Sequence, residues 1–168
     1  MFRPLLKSLL LGCLVSVVPL QAQKMDSEKL KELVEQVADT LKHEGNSVQF
    51  EYKDTYMACV YDTNANRMRI ISPIVERSEI GEAAILNALV ANFHSALDVK
   101  YALSDEIIWS VFIHPLQELS ETQVLDAIDQ VHRAAITFGS TYSSTDLVFP
   151  GNFYKEDTIQ KERSLKKL

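Results

Sequence analysis

Apolar and polar positions follow two different periods after residue 25, which divides the chain into helical and strand-like segments. From Asp26 to Glu44, apolar residues recur at helical spacing. Asp26 or Ser27 can cap the start of this helix, and Gly45-Asn46 ends it. The apolar stripe of the helix consists of Leu30, Leu33, Val34, Val37 and Leu41. We therefore predict an amphipathic first helix whose other faces are charged.

Three strand-like runs follow this helix. Residues 47–53, SVQFEYK, alternate apolar with polar side chains, as in a strand with one solvent-facing side. Residues 55–62, TYMACVYD, are apolar on both faces, which indicates a more central strand. Residues 66–74, NRMRIISPI, form the third run. Because the connecting loops are short, we predict an antiparallel meander.

The rest of the domain is predicted as a helix, two strands and a helix. Residues 78–98 have helical spacing with a broad apolar face, and residues 99–103 and 106–116 are strand-like. The last helix begins at Ser120, where SETQ has the Ser and Gln spacing of a capping box. The order α-β-β-β-α-β-β-α predicts a single α+β domain over residues 26–142, with helices packed on one side of an antiparallel sheet.

This order resembles the fold of the class I type III secretion chaperones and their YbjN-like relatives. Two segments carry the resemblance: YDTNANRMRIISPI at residues 61–74, and HPLQELSETQVLDAIDQV at residues 114–131. In that superfamily the last long strand leads through a short acidic or Ser/Thr-rich segment into the C-terminal helix. The resemblance implies a secretion-chaperone-like fold and a non-enzymatic, often dimeric protein that binds a segment of a protein partner.

Two binding surfaces are predicted on this basis. An apolar groove beside the first helix and an edge strand at residues 47–53 are expected to accept a partner segment, the strand by β-augmentation. The candidate partner-binding residues are Leu30, Leu33, Val37, Leu41, Val48, Phe50 and Tyr52. The wide apolar face of the second helix predicts a homodimer interface. Its candidate residues are Leu86, Leu89, Val90 and Phe93.

The first 22 residues have the pattern of a secretory signal. They carry a basic start, an apolar run from Leu9 to Val18, Pro19, and a small residue at Ala22, although Leu20 stands where a small residue is preferred. We expect cleavage and a periplasmic or secreted mature protein. Two alternatives stay open: a lipoprotein lipidated at Cys13 within LLGC, and a plain membrane anchor. Secretion chaperones are cytosolic, so an exported member of the fold is expected to bind a different partner.

Charge and cysteine content narrow the function classes. Without residues 1–22 the chain keeps 15 basic and 23 acidic side chains, a formal charge of −8. An acidic domain disfavours binding to nucleic acid or to anionic lipid, so stable membrane binding is expected only if Cys13 is lipidated. Cys59, between apolar neighbours, is then the single cysteine, and we predict that it is a buried structural residue.

The sequence contains no motif that indicates catalysis. His43, His94, His114 and His132 lack metal-ligand spacing, and the chain has no CxxC, GxSxG, P-loop or GxGxxG sequence. We therefore predict no catalytic, metal or cofactor site, and a core position for Trp109. The alternative is an exported small-molecule-binding or hydrolase-like protein built on His114, His132 and the Tyr/Phe-rich C-terminal segment. Residues 143–168 are predicted as a loosely packed or disordered tail.

Overall fold

A computed structural model describes residues 24–147 of the chain. This part of the chain has three helices, α1 (Ser27–Val37), α2 (Glu82–His94) and α3 (Glu121–Thr137), and a short 3-10 turn at Arg77–Glu79 precedes α2. The six strands are β1 (Thr40–Glu44), β2 (Ser47–Tyr52), β3 (Thr55–Asp62), β4 (Arg67–Glu76), β5 (Lys100–Ser104) and β6 (Ile107–His114). The predicted signal at residues 1–22, with Cys13, and residues 148–168 of the tail predicted over 143–168 lie outside the described residues. The first part of that tail is packed on the domain, since Ser144 is buried.

All six strands form one antiparallel sheet in the order β1-β2-β3-β4-β6-β5. The β2-β3 and β5-β6 hairpins turn through two residues with positive φ each, Lys53-Asp54 and Asp105-Glu106, as type I′ turns require. Helices α1 and α3 contact each other and pack on the sheet, α1 against β2 and α3 against β4 and β6. This arrangement confirms the predicted α+β class and the antiparallel meander of β2, β3 and β4.

The core lies between the sheet and these two helices. Its largest fully enclosed side chains include Leu30 and Leu33 of α1, Phe50 and Met57 of β2 and β3, and Ile128 of α3. Alternate residues of each central strand point into this layer, so the period of two in the sequence corresponds to the two faces of the sheet. Burial on one face therefore fixes the register of the strands.

Both predicted helix starts in this core are confirmed. Asp26 caps α1, and its carboxylate accepts a hydrogen bond from the Lys29 N–H at 2.8 Å. Ser120 and Gln123 form the predicted capping box of α3, so Pro115 and Ser120 mark a plain passage from strand β6 to helix α3. Cys59 is fully buried, as predicted, and burial raises the pKa of its thiol to about 12.

The first helix is shorter than predicted, and the sheet has one more strand. α1 ends at Val37, and residues 40–44 form β1 instead of the last turns of the helix. The chain turns here because Asp39 is bound to the next hairpin: its side chain accepts the Lys53 N–H at 2.9 Å, and its own N–H donates to the Glu51 carbonyl at 2.8 Å. Gly45, at a φ of 56°, forms the β1-β2 turn rather than a helix stop.

Trp109 is also placed differently from the prediction. Its side chain is only half-buried, and it lies on the face of the sheet opposite the inward-pointing Ile108 and Ser110. The indole N–H donates to the Ser104 carbonyl at 3.1 Å. A central strand can thus carry apolar residues on both faces while only one face is buried, so its tryptophan need not lie in the core. Within residues 24–147, no helix is long and apolar enough to cross a bilayer.

Candidate protein-binding site

The two edges of the sheet differ in whether they are closed. At one edge, helix α2 runs beside β5, and the side-chain amide of Asn92 binds the main chain of Tyr101. The Tyr101 N–H donates to Asn92 Oδ1 at 2.7 Å, and Asn92 Nδ2 donates to the Tyr101 carbonyl at 3.1 Å. This amide makes the pair of bonds that a further strand would make, so it closes the β5 edge at its second residue.

The other edge is β1, which within residues 24–147 pairs only with β2. All five of its residues are exposed. The pairing of β2 with β3 shows which β1 residues direct their backbone N–H and C=O groups away from the sheet. In an antiparallel sheet, successive residues of a strand direct these groups alternately to one neighbouring strand and to the other. The Tyr61 N–H donates to the Asn46 carbonyl, which places Val48 and Phe50 among the residues bonded toward β3. Their β1 partners, His43 and Leu41, therefore direct their N–H and C=O groups away from the sheet.

The surface beside this free edge is acidic rather than apolar. A cavity of about 320 Å³ between α1 and β1 is lined by Glu28, Lys31, Glu32, Glu35, His43 and Gly45. Within it, His43 Nε2 lies 3.1 Å from Glu35 Oε1, and Lys31 Nζ lies 2.8 Å from Glu28 Oε1. The predicted apolar groove is therefore corrected: the apolar stripe of α1 faces the core, and its charged side lies along β1.

The seven predicted partner-binding residues divide in the same way. Leu30, Leu33, Val48 and Phe50 are at most 2% exposed, because they fill the space between α1 and the sheet. Val37 and Tyr52 are partly buried against that core. Leu41 is 38% exposed and lies on β1, so it is the one residue of the set at the free edge. The predicted edge strand, residues 47–53, is corrected too, since β2 has a neighbour on each side.

The predicted dimer residues have the opposite property. Leu86, Leu89, Val90 and Phe93 are 58–75% exposed, and they share one side of α2. Nothing among the described residues covers them, and the homodimer stays a prediction.

A polar network lies at the far end of β2. The Asp129 carboxylate accepts hydrogen bonds from Tyr52 Oη at 3.1 Å, Lys53 Nζ at 2.8 Å and Arg133 Nε at 2.9 Å. Burial raises the pKa of Asp129, but the bonds from Lys53, Tyr52 and Arg133 outweigh burial and hold it below its usual value. Burial and the nearby Lys53 lower the pKa of His132. This network links α3 to the β2-β3 turn.

The two histidines of the alternative function lie in different surroundings. His132 Nδ1 is 2.7 Å from Thr55 Oγ1. The His132 side chain lines a cavity of about 510 Å³ together with Lys53 and Asp129. His114 stacks on Phe112, with Nδ1 2.8 Å from the Pro115 carbonyl, and lines another cavity. The structure therefore does not bring them together as one site, and it holds no metal-ligand cluster within residues 24–147.

Three features were missed in the sequence: β1 itself, Asn92, and the segment after α3. A signal for β1 was present, because LKHEGNSVQF places Gly-Asn between two alternating runs, which is a hairpin pattern. Asn92 has no local signal, since its partner is nine residues away and its role depends on how α2 meets β5. The segment Tyr142–Ser144 binds back to the end of α2, which no periodicity indicates.

Comparison with known proteins gives similarity in structure and none in sequence. No protein-family model and no curated protein matches the chain. The type III secretion chaperone SycH of Yersinia pestis, solved in complex with a stable fragment of YscM2, matches at a TM-score of 0.52 with 13% identity, over 67% of this chain and 98% of its own. A chain of the HopA1–SchA chaperone–effector complex also matches at 0.52, with 10% identity, over 65% of this chain and 88% of its own. The described domain therefore has the fold of the type III secretion chaperones.

Proposed function

We propose that this chain is an exported protein-binding module that accepts an extended segment of a protein partner at the free edge of β1. The open edge supports the proposal most directly. Leu41 and His43 direct outward backbone groups that no other residue of 24–147 bonds, while on the opposite edge the Asn92 amide occupies those of Tyr101. Main-chain hydrogen bonds to such an edge supply affinity by β-augmentation. SycH and SchA are described as a chaperone and as part of a chaperone–effector complex, which is consistent with binding rather than catalysis.

The chemistry of the partner follows from the side chains around β1. A strand added to β1 would place alternate side chains toward α1, where Glu28, Glu32 and Glu35 line the adjacent cavity. Each of the three already has a basic neighbour within 3.6 Å: Lys31, Lys29 and His43. Because the three carboxylates outnumber the two lysines and lie on an acidic chain, the face still favours Lys or Arg in the partner over Asp or Glu. The preferred segment is therefore extended and carries a basic residue on the helix-facing side.

The backbone test uses two substitutions at one position. Leu41→Pro removes an outward N–H without removing a bond to β2, whereas Leu41→Thr keeps the N–H and suits a strand. Each variant is crosslinked in envelope extract, captured through a tag, and analysed by mass spectrometry, after circular dichroism has shown equal folding. We expect the Thr variant to retain the captured partner and the Pro variant to lose it. Equal capture by both variants would show that the β1 backbone is not the binding element.

A homodimer through α2 is a second candidate for protein association. The exposed residues Leu86, Leu89, Val90 and Phe93 favour it, since a contiguous apolar surface is unusual on a monomer. The Leu89→Asp variant should then be monomeric while the parent chain is dimeric by sedimentation equilibrium. A parent chain that stays monomeric at high concentration argues against the dimer.

Export forms part of the same proposal and rests on the pattern of residues 1–22. Intact mass of the protein recovered from the cell envelope tests it. A chain that begins near Gln23 supports cleavage of a secretory signal, and a lipid-modified chain that begins at Cys13 supports the lipoprotein alternative. A full-length chain in the cytosol would contradict export.

A further inference from the structure

Helix α2 buries its small apolar residues and exposes its large ones. Ala88 and Ala91 are each 5% exposed and face the domain, whereas Leu89 and Phe93 are 58% and 75% exposed. The exposed stripe continues backward to Glu82, four residues before Leu86, and so ends in an acidic residue at the start of the helix. A helix normally buries its larger apolar side chains. The exposed face of α2 is therefore suited to packing against another segment of protein.

The chain returns to this helix after α3. Ser95 follows α2 directly, and its hydroxyl donates to the Tyr142 carbonyl at 2.7 Å. The Ser144 N–H donates to the Ser95 carbonyl at 3.2 Å, and its buried hydroxyl donates to the Ala96 carbonyl at 2.8 Å. Asp146 then pairs with Arg133 of α3 at 3.1 Å, so the last described residues lie beside α3, a few residues along the chain from the contact with the end of α2. A stretch of 21 residues reaches about 70 Å when extended, and α2 is about 20 Å long.

Charge distinguishes this terminal segment from the rest of the chain. Residues 24–147 contain ten basic and twenty acidic side chains, whereas residues 148–168 contain five basic and three acidic ones. Five carboxylates lie around the start of α2: Glu76, Glu79, Glu82, Asp105 and Glu106. The β5-β6 turn belongs to this group because the Arg77 N–H donates to the Glu106 carbonyl at 2.7 Å. None of the five forms an ion pair with another residue of 24–147.

We propose that residues 148–168 of the same chain cover the exposed face of α2, running from its C-terminal to its N-terminal end. The order of side chains in the two segments agrees with this direction. The aromatic residues Phe149, Phe153 and Tyr154 come first, nearest Phe93, and the basic stretch from Lys161 to Lys167 comes last, nearest the carboxylates. α2 itself has no Lys or Arg, so its counterpart on a second copy would bring no cation to these carboxylates.

This cover has a consequence for assembly. While residues 148–168 occupy the α2 face, the face is closed to a second copy, so the tail and homodimerisation exclude each other. The inference is independent of binding at β1, because it concerns the isolated chain without a partner.

Zero-length carbodiimide crosslinking of the chain from Gln23 to Leu168 tests the proposal, since it joins Lys amines directly to carboxylates. Light and heavy isotope-labelled chains are mixed before the reaction, and crosslinked peptides are identified by mass spectrometry. We expect Lys166 or Lys167 joined to Glu79 or Glu82, in peptides of a single isotope. Mixed-isotope peptides would overturn the proposal in favour of the tail of another copy. Tail amines joined instead to Glu28, Glu32 or Glu35 would also overturn it.

A pair of double variants tests whether the apolar face holds the tail. Leu89→Ser with Phe93→Ser removes two exposed contacts on α2, and we expect the crosslink yield to fall about tenfold. Ile113→Ser with Tyr56→Ser changes two exposed apolar residues of the sheet and should leave the yield unchanged. Because all four positions are exposed, both variants should fold, as circular dichroism can verify. An unchanged yield in the α2 variant overturns the proposal.

Discussion

The closure of the β5 edge by Asn92 can be tested by removing the amide without changing the size of the side chain. Asn92→Leu deletes the acceptor for the Tyr101 N–H and the donor to the Tyr101 carbonyl, which lie at 2.7 and 3.1 Å. The inward face of α2 is otherwise preserved, because the buried Ala88 and Ala91 are unchanged. The substitution therefore isolates the two hydrogen bonds.

The magnitude follows from where the two bonds lie. A hydrogen bond contributes about 1 kcal/mol net, and a buried backbone group left without a partner costs about 1–3 kcal/mol. Tyr101 is 6% exposed, so water has limited access to its main chain, although the half-buried position of Asn92 admits some. We expect the free energy of unfolding to fall by about 2–3 kcal/mol.

Urea denaturation of the parent chain and of two variants measures this loss. The matched control is Asn87→Leu, which changes an exposed asparagine on the same helix and should shift stability by less than about 0.5 kcal/mol. Hydrogen exchange gives a second measurement, because the Tyr101 N–H should lose protection in Asn92→Leu and keep it in the control. If Asn92→Leu is as stable as Asn87→Leu and Tyr101 stays protected, the amide does not close this edge.

Three further outcomes follow from single residues. The Cys59 thiol, with its pKa raised to about 12 by burial, should not react with an alkylating reagent at neutral pH until urea unfolds the chain. Burial, with the nearby Lys53, lowers the pKa of His132 in the folded state from its usual 6.5. Because the unfolded state then binds more protons below pH 6.5, the free energy of unfolding should decline as the pH falls from 6.5, and it should decline less steeply in His132→Gln. Ser120→Ala removes the α3 cap and should lower the free energy of unfolding by about 1 kcal/mol in the same urea assay.

Most of the fold was predictable because local signals and tertiary structure agree. The meander β2-β3-β4, the β5-β6 hairpin and the capping box at Ser120 each depend on residues close in sequence. The exception is residues 38–44, where Leu41 continues the helical spacing of α1 by coincidence. Its strand is formed through pairing with β2, and the turn at Asp39 depends on Lys53, fourteen residues away. Periodicity within one segment cannot detect such partners.

The candidate site was less predictable than the fold because a binding edge is defined by what is absent beside it. The sequence of residues 47–53 has the alternation of a half-exposed strand, but the adjacent strand makes β2 internal. The alternation of Val48 and Phe50 arises from the two faces of the sheet and says nothing about its edges. On α2, the residues predicted to form an interface, Leu89 and Phe93 among them, are exposed, whereas Ala88 and Ala91 face inward. The sequence shows how wide this apolar face is, but not what covers it.

The wrong assignment of the free edge to residues 47–53 has a physical origin that also limits what can bind. A sheet has two edges, and each can be closed by a strand, a helix side chain or a partner. Here the amide of Asn92 occupies the outward groups of Tyr101 in the middle of the short strand β5, whereas β1 offers five exposed residues to an extended segment. A strand of five residues offers few main-chain bonds, and those bonds alone select no sequence. The selectivity of the proposed interaction must therefore come from side chains next to β1, and these are the glutamates of α1.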